Sequence, residues 1–147
     1  MGITSAVLAL SANVIAQEDD LSLTITSGEA THNFTIELAD ESDEISLGLM
    51  ERTELAPDAG MLFDFGVVRE TSMWMKNTLI PLDMLFLAPD GTIIAIARNT
   101  VPHSERRINP GVPVKGVLEI AGGRSAELGI EPGDRLNHAL FSTDLGG

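Results

Sequence analysis

The sequence has 147 residues, 44% of them hydrophobic, and its 22 acidic against 9 basic residues give a net charge of −13. This length suits one domain with its own core, and the apolar content is that of a globular protein rather than a disordered one. The absence of cysteine excludes disulfides, thiolate metal sites and cysteine nucleophiles. The acidic balance argues against nucleic acid or an anionic membrane surface as a partner, because both require clustered Lys and Arg.

The first part of the chain has the character of a secretory leader. An apolar run over residues 6–12 is followed by Val14-Ile15-Ala16, which has the small-x-small spacing of a signal-peptidase site. Cleavage after Ala16 separates a leader, residues 1–16, from a single β-rich domain over residues 17–147. We therefore expect a periplasmic or extracellular protein. The run is too short to span a membrane. The residues before it carry no Lys or Arg, and an ordinary N-terminal helix is the alternative.

The rest of the chain is predicted as strands joined mostly by turns. Apolar and polar residues alternate over residues 21–26 and 34–38, which predicts a hairpin across the turn at residues 27–29. Ser42 and Asp43 are candidate caps for a helix over residues 44–52, with Ile45 and Leu49 as its buried stripe. Further strands are predicted over residues 61–65, 79–87, 92–97, 114–120 and 138–141, and a second short helix over residues 125–128.

Residues 73–87 are the most distinctive stretch of the sequence. They contain the only tryptophan, and Lys76 stands there among apolar residues. In a strand Trp74 and Lys76 point to the same face, where a cation–π contact is worth about 0.5–2 kcal/mol. Asp83 is the one charge in the apolar run that follows. Another distinctive segment, residues 99–113, contains three prolines and is interpreted as a long loop, a kind of segment that often carries function.

Several short blocks, in chain order, resemble the domain of unknown function 192 family. They are Gly48-Leu49-Met50 with Arg52, Gly60-Met61-Leu62-Phe63, Trp74-Met75-Lys76-Asn77-Thr78 with Pro81-Leu82-Asp83, Val117-Leu118-Glu119, and Gly129 with Gly133-Asp134. The resemblance covers roughly residues 21–140. It implies a small β-rich, jelly-roll-like domain that is often exported in bacteria and also occurs in archaea, with no established activity or ligand. This chain departs from the family pattern at Leu47, where a basic residue is usual, and at Met73, where an aromatic is frequent.

The fold class expected from the segments and the resemblance is mainly β, an antiparallel sandwich or barrel with two short helices. Polar groups inside apolar segments are expensive to bury unpaired, so they either pair with one another or converge on a site. A concave site with one aromatic wall and a few fixed polar groups is how small-ligand sites are commonly built. The residues predicted to form such a ligand-binding site are Trp74, Lys76, Asn77, Asp83 and Glu119.

Three functions remain open from the sequence. The first is a non-enzymatic module that binds a small molecule or an envelope protein. The second is a hydrolase-type enzyme in which Lys76 acts with Asp83 or Glu119. The third is a protein-interaction module that uses the loop over residues 99–113. No metal site is expected, because the three histidines are widely separated, and no sequence motif indicates a cofactor.

Overall fold

A computed structural model of the protein describes residues 20–142, which form one curled sheet of seven strands with two short helices. In chain order the elements are β1 (Ser22–Ser27), β2 (Ala30–Ala39), α1 (Ser42–Leu47), β3 (Ala59–Arg69), β4 (Leu82–Leu87), β5 (Ile93–Ala97), β6 (Val114–Ala121), α2 (Arg124–Glu127) and β7 (Arg135–Asn137). The strand order across the sheet is β5-β4-β6-β3-β2-β1-β7. This confirms the mainly β class with two short helices.

Neighbouring strands run antiparallel except for β2 and β3, which are parallel. A parallel pair needs a crossover rather than a tight turn, and the segment containing α1 makes it. The two outer strands of the sheet approach each other, since Thr92 forms an isolated bridge with Arg135 and the Ile93 N–H donates to the Asp134 carbonyl over 2.8 Å. The sheet is therefore curled until its outer strands meet at one end.

The two faces of the sheet carry separate hydrophobic clusters, which follow the alternation of β6. Leu118 and Ile120 belong to a first cluster that also contains residues of β1 and β2. Val117 belongs to a second cluster, which contains Met61, Phe63, Met84 and other residues. Because side chains alternate along a strand, Glu119 shares the face of Val117 and lies on the side of the second cluster.

Three strand predictions differ from the structure. Residues 73–77 form no regular strand, and Met73 makes only an isolated bridge to Ile108. The near-continuous apolarity of residues 92–97 favours burial on both faces or a central position in the sheet, but β5 is at the edge of the sheet and only its Ile93 is fully buried. The last strand is β7, which ends before the predicted range of 138–141.

The first helix is shorter than predicted and begins differently. Its N-cap is Glu41, rather than Ser42 or Asp43, and the Glu44 carboxylate accepts a hydrogen bond from the Glu41 N–H over 3.1 Å. The helix ends at Gly48, which has a φ of 49° and whose Cα lies against the Phe63 ring, where a Cβ would be only 3.2 Å from a ring carbon. A side chain at this position is disfavoured both by its backbone conformation and by the ring.

The predicted leader, residues 1–16, lies outside the described residues. Within residues 20–142, neither helix has the length and apolarity that crossing a bilayer would require.

Candidate functional site

The tryptophan segment is held in place by the loop over residues 99–113. The backbones of Met73 and Ile108 exchange two hydrogen bonds, of 2.9 and 2.8 Å, and the Met75 N–H donates to the Ser104 carbonyl over 2.9 Å. The Met75 side chain is buried beneath this contact, where the Thr100 hydroxyl lies 3.1 Å from its sulfur. The loop therefore crosses the segment at a fixed register, which brings Arg107 beside Trp74.

Trp74 is the centre of a cluster of cations. The Arg107 guanidinium carbon lies 4.1 Å from the centroid of the indole ring, and the Lys76 Nζ lies 5.1 Å from it. Arg69 makes the same kind of contact with Phe65, at 4.1 Å. Trp74 and Lys76 thus share one side of the chain, as the sequence predicted, although the segment is not a regular strand.

A pocket of about 280 Å³ opens beside Trp74. Its walls come from the end of α1 and the residues after it, from β3, from the tryptophan segment, from the loop through Arg107, and from β6 through Glu119. The residues lining it are Ile45, Ser46, Leu47, Gly48, Leu49, Met50, Phe63, Phe65, Arg69, Thr71, Ser72, Met73, Trp74, Thr78, Arg107 and Glu119. Leu49, Phe63, Thr71, Thr78 and Glu119 are buried, whereas Arg69 and Arg107 are exposed, so the arginines are at the mouth and the buried apolar, hydroxyl and carboxyl side chains are further in.

Glu119 is an acidic residue in a largely apolar surrounding. Its neighbours across the sheet are Met61 on β3 and Met84 on β4, and only 4% of its surface is exposed. Within residues 20–142 its carboxyl group has neither an ion pair nor a hydrogen-bond partner. Burial away from water raises the pKa of Glu119 to about 8. At neutral pH the group is therefore mainly a protonated acid, which both donates and accepts hydrogen bonds.

The basic residues around the pocket differ from the other basic residues of the chain. All nine Lys and Arg lie within the described residues, and five of them form ion pairs with carboxylates: Arg52, Arg98, Lys115, Arg124 and Arg135. The four that form no ion pair within residues 20–142 are Arg69, Lys76, Arg106 and Arg107. Arg69 and Arg107 line the pocket and Lys76 contacts its tryptophan. A protein of net charge −13 thus keeps three of these four unpaired cations close to one opening.

Asp83 lies apart from this pocket. Its side chain is fully buried and accepts four hydrogen bonds, from the backbone N–H groups of Asn99, Gly123 and Ser125 and from the Ser125 hydroxyl, over 2.5–3.1 Å. Arg98 in turn donates to the Ser125 hydroxyl over 2.8 Å. This carboxylate joins the end of β5 to the start of α2, and its lone pairs are already used.

The two remaining predicted site residues, Lys76 and Asn77, lie near the pocket without lining it. Lys76 makes no ion pair with Asp83 or Glu119. Asn77 is exposed and has a φ of 57°, and its carbonyl accepts a hydrogen bond from the Glu51 N–H over 2.8 Å. An asparagine tolerates this left-handed conformation better than most residues, so Asn77 shapes the turn beside Trp74.

Two pocket residues, Arg69 and Arg107, are absent from the predicted site. Arg69 is at the end of β3, and Arg107 is in a loop 38 positions later in the numbering. No motif connects them, and the only signal for Arg107 was its place in the proline-rich loop over residues 99–113, a kind of segment that often carries function. No group of three or more His, Asp or Glu side chains suited to a metal ion occurs in the part of the chain that the structure describes.

Comparison with known proteins identifies the family to which the chain belongs. The family model of DUF192, described as Uncharacterized ACR, matches residues 23–138. A search of curated proteins found no match. The chain is similar to a crystal structure from Sinorhizobium meliloti 1021, described as that of a proposed transcription regulator, with 52% identity, 80% of this chain and 92% of that chain covered, and a TM-score of 0.78.

A second similar crystal structure is of a protein of unknown function from Novosphingobium aromaticivorans DSM 12444. It is 42% identical, with 79% of this chain and 83% of that chain covered and a TM-score of 0.77. The fold is thus a small curled β domain with a side pocket. The chain belongs to the DUF192 family of uncharacterised domains, and the resemblance noted in the sequence is confirmed.

Proposed function

We propose that this domain binds a small organic molecule in the pocket between Trp74 and Glu119 and catalyses no reaction on it. The observation that carries the proposal is the Glu119 carboxyl group, which is buried without a partner among the described residues and lines an open pocket. Strongly shifted pKa values cluster at functional sites, and Glu119 is such a group at an open pocket. A ligand group that bonds to Glu119 would supply the hydrogen bond that no described residue provides.

The size and lining of the pocket support a small ligand. A volume of about 280 Å³ lies just below the range of typical ligand sites, roughly 300–1,000 Å³, so it suits a small metabolite better than a peptide. Leu49, Phe63 and Trp74 give it apolar walls, and a few polar groups among the lining residues would fix the orientation of the ligand.

The hydrolase alternative has less support from the geometry. It requires Lys76 to act with Asp83 or Glu119, but Lys76 does not line the pocket and the Asp83 oxygens already accept four hydrogen bonds. Glu119 would then act alone, whereas glycoside hydrolysis generally uses a pair of carboxylates.

Two partner-binding alternatives also have less support than a small ligand. The loop over residues 99–113 exposes Val101 and Val112, which suits a protein contact, but its backbone is engaged with the tryptophan segment. A role in transcription, as described for the Sinorhizobium meliloti protein, would require a basic surface for DNA. Arg69, Lys76 and Arg107 are a small group of unpaired cations on a strongly acidic protein, which favours a small anion over a nucleic acid.

Export of the domain remains part of the proposal. The apolar run and the Val14-Ile15-Ala16 site support cleavage after Ala16. The intact mass of the protein isolated from its native host is expected to correspond to a chain that begins at Gln17. A mass that retains Met1 or Gly2 would contradict export by this route.

Binding is testable through the single tryptophan. Titration with a panel of small aromatic and aliphatic fragments, charged and neutral, is expected to change Trp74 fluorescence saturably for at least one fragment. The mass of that fragment is expected to remain unchanged after prolonged incubation.

A pocket-filling variant provides the control. Ser72→Phe places a ring at an exposed lining position and is expected to weaken binding about tenfold or more, which corresponds to about 1.4 kcal/mol. Thr31→Phe adds the same ring at an exposed position of β2 that does not line the pocket, and should leave binding unchanged. Equal responses from Ser72→Phe and the wild type would contradict the assignment of the pocket.

A further inference from the structure

The arginines at the mouth of the pocket present unused hydrogen-bond donors. The guanidinium groups of Arg107 and Arg69 lie over the rings of Trp74 and Phe65, each at 4.1 Å. A guanidinium that stacks through its face keeps its N–H groups along its edge, in the plane that suits a carboxylate. Within residues 20–142 neither side chain donates a hydrogen bond or forms an ion pair. The mouth of the pocket therefore offers cationic hydrogen-bond donors that suit an anion.

The inner end of the pocket has a different chemistry. Glu119 there is 4% exposed and is flanked by Met61 and Met84, so a negative charge on the ligand at this end is disfavoured. In its protonated form the carboxyl group donates one hydrogen bond, and within residues 20–142 it has no hydrogen-bond partner. The other buried lining residues include Leu49 and Phe63, which are apolar, and Thr71 and Thr78, which carry hydroxyl groups. The inner end therefore suits an uncharged acceptor on an apolar body.

We propose, building on the binding function above, that the ligand is a small organic acid with two distinct ends. Its carboxylate meets the edges of Arg107 and Arg69 at the mouth, its apolar body lies against Trp74, and an uncharged carbonyl or ether oxygen at its far end accepts a hydrogen bond from Glu119. A cation is excluded by the two guanidinium groups. Inorganic phosphate would satisfy the mouth but would leave the apolar walls and Glu119 without a partner.

Three matched probes separate the parts of this assignment. They are 4-acetylbenzoate, which has both ends, 4-acetylbenzamide, which lacks the charge, and 4-isopropylbenzoate, which lacks the inner acceptor. A shorter acid, 4-oxopentanoate, covers a ligand of smaller span. Binding of each to the full chain is measured by isothermal titration calorimetry at neutral pH.

One of the two keto acids is expected to bind, with the matching amide about tenfold weaker or more, because a hydrogen bond between charged partners is stronger than one to a neutral group. Arg107→Gln is expected to lower affinity for the acid about tenfold. The adjacent Arg106→Gln is the matched control, since Arg106 is exposed and does not line the pocket, and should change affinity less than twofold. The preference for acetyl over isopropyl should persist in Glu119→Gln, which keeps a donor, and be lost in Glu119→Leu.

Defined outcomes would overturn the assignment. Equal affinities for acid and amide, or equal effects of the two arginine variants, would contradict the binding of an anion at the mouth. A preference for acetyl over isopropyl that survives in Glu119→Leu would contradict the hydrogen bond at the inner end. If neutral fragments change Trp74 fluorescence but neither acid binds, the ligand class is wrong and the binding function stands; if no fragment of any kind binds, both fail.

Discussion

Replacing Glu119 by glutamine is expected to stabilise the free domain at neutral pH by up to about 3 kcal/mol. The reason is that burial raises the pKa of the Glu119 carboxyl from an ordinary 4.5 to about 8. Between these two values the unfolded chain has lost the proton and the folded chain still holds it. Ionisation therefore favours the unfolded state, and glutamine, which is neutral throughout, removes that effect.

The pH dependence follows from the sign of this shift. Below pH 4.5 Glu119 is protonated in both states and contributes no dependence on pH. As the pH rises from there to about 8, the unfolded state binds fewer protons than the folded state, so stability falls. Above pH 8 the loss is complete. Among residues 20–142, the only charged groups that line the pocket with Glu119 are Arg69 and Arg107, and both are exposed at the mouth.

Denaturant unfolding of the wild type and Glu119→Gln across this pH range measures the effect. The difference in unfolding free energy is expected to grow with pH and then to level off. Glu37→Gln is the matched control, because Arg52 lowers the pKa of Glu37 through a hydrogen bond at the surface. That substitution should cause a small destabilisation instead. Equal pH profiles for the wild type and Glu119→Gln would mean that Glu119 is solvated or paired.

Replacing Asp83 by alanine is expected to destabilise the domain by about 3–5 kcal/mol. The substitution leaves three backbone N–H groups and the Ser125 hydroxyl without their acceptor, in a region where Asp83 is fully buried. The connection between the end of β5 and the start of α2 would lose its central contact. Denaturant unfolding at neutral pH measures the loss.

A graded variant keeps this test informative if the alanine protein fails to fold. Ser125→Ala removes one of the four donors to Asp83 and is expected to cost about 1–2 kcal/mol. It also removes the acceptor of one Arg98 hydrogen bond. If instead Asp83→Asn retained full stability while ligand affinity fell, the aspartate would belong to a binding site after all.

Asp83 and Glu119 show how far the sequence predicts a site. Each is a lone acid in an apolar strand, and the sequence gives both the same interpretation. In the structure, Asp83 finds three backbone N–H groups from positions 16, 40 and 42 residues away, whereas Glu119 finds two methionines. That difference depends on long-range register, which local patterns do not encode.

The other predictions divide in the same way, because some features depend on local sequence and others on contacts between distant segments. The hairpin of β1 and β2 and the apolar strand β4 follow from alternation, turn residues and composition, which are local. The contact between Arg107 and Trp74 depends on how residues 99–113 cross a distant segment, so only the contact between Lys76 and Trp74 was predicted. The position of β5 at the edge of the sheet could not be predicted either. Its residues are almost all apolar, which is typical of a buried strand, yet only Ile93 is fully buried.

The central claim is that the pocket between Trp74 and Glu119 is a ligand-binding site. Its most direct test is a crystal structure of the full chain grown with a saturating concentration of whichever keto acid binds in calorimetry. We expect density for the acid with its carboxylate at Arg107 and its carbonyl oxygen within hydrogen-bond distance of the Glu119 carboxyl. An empty pocket at that concentration, or side chains that close the space beside the indole ring, would contradict the account.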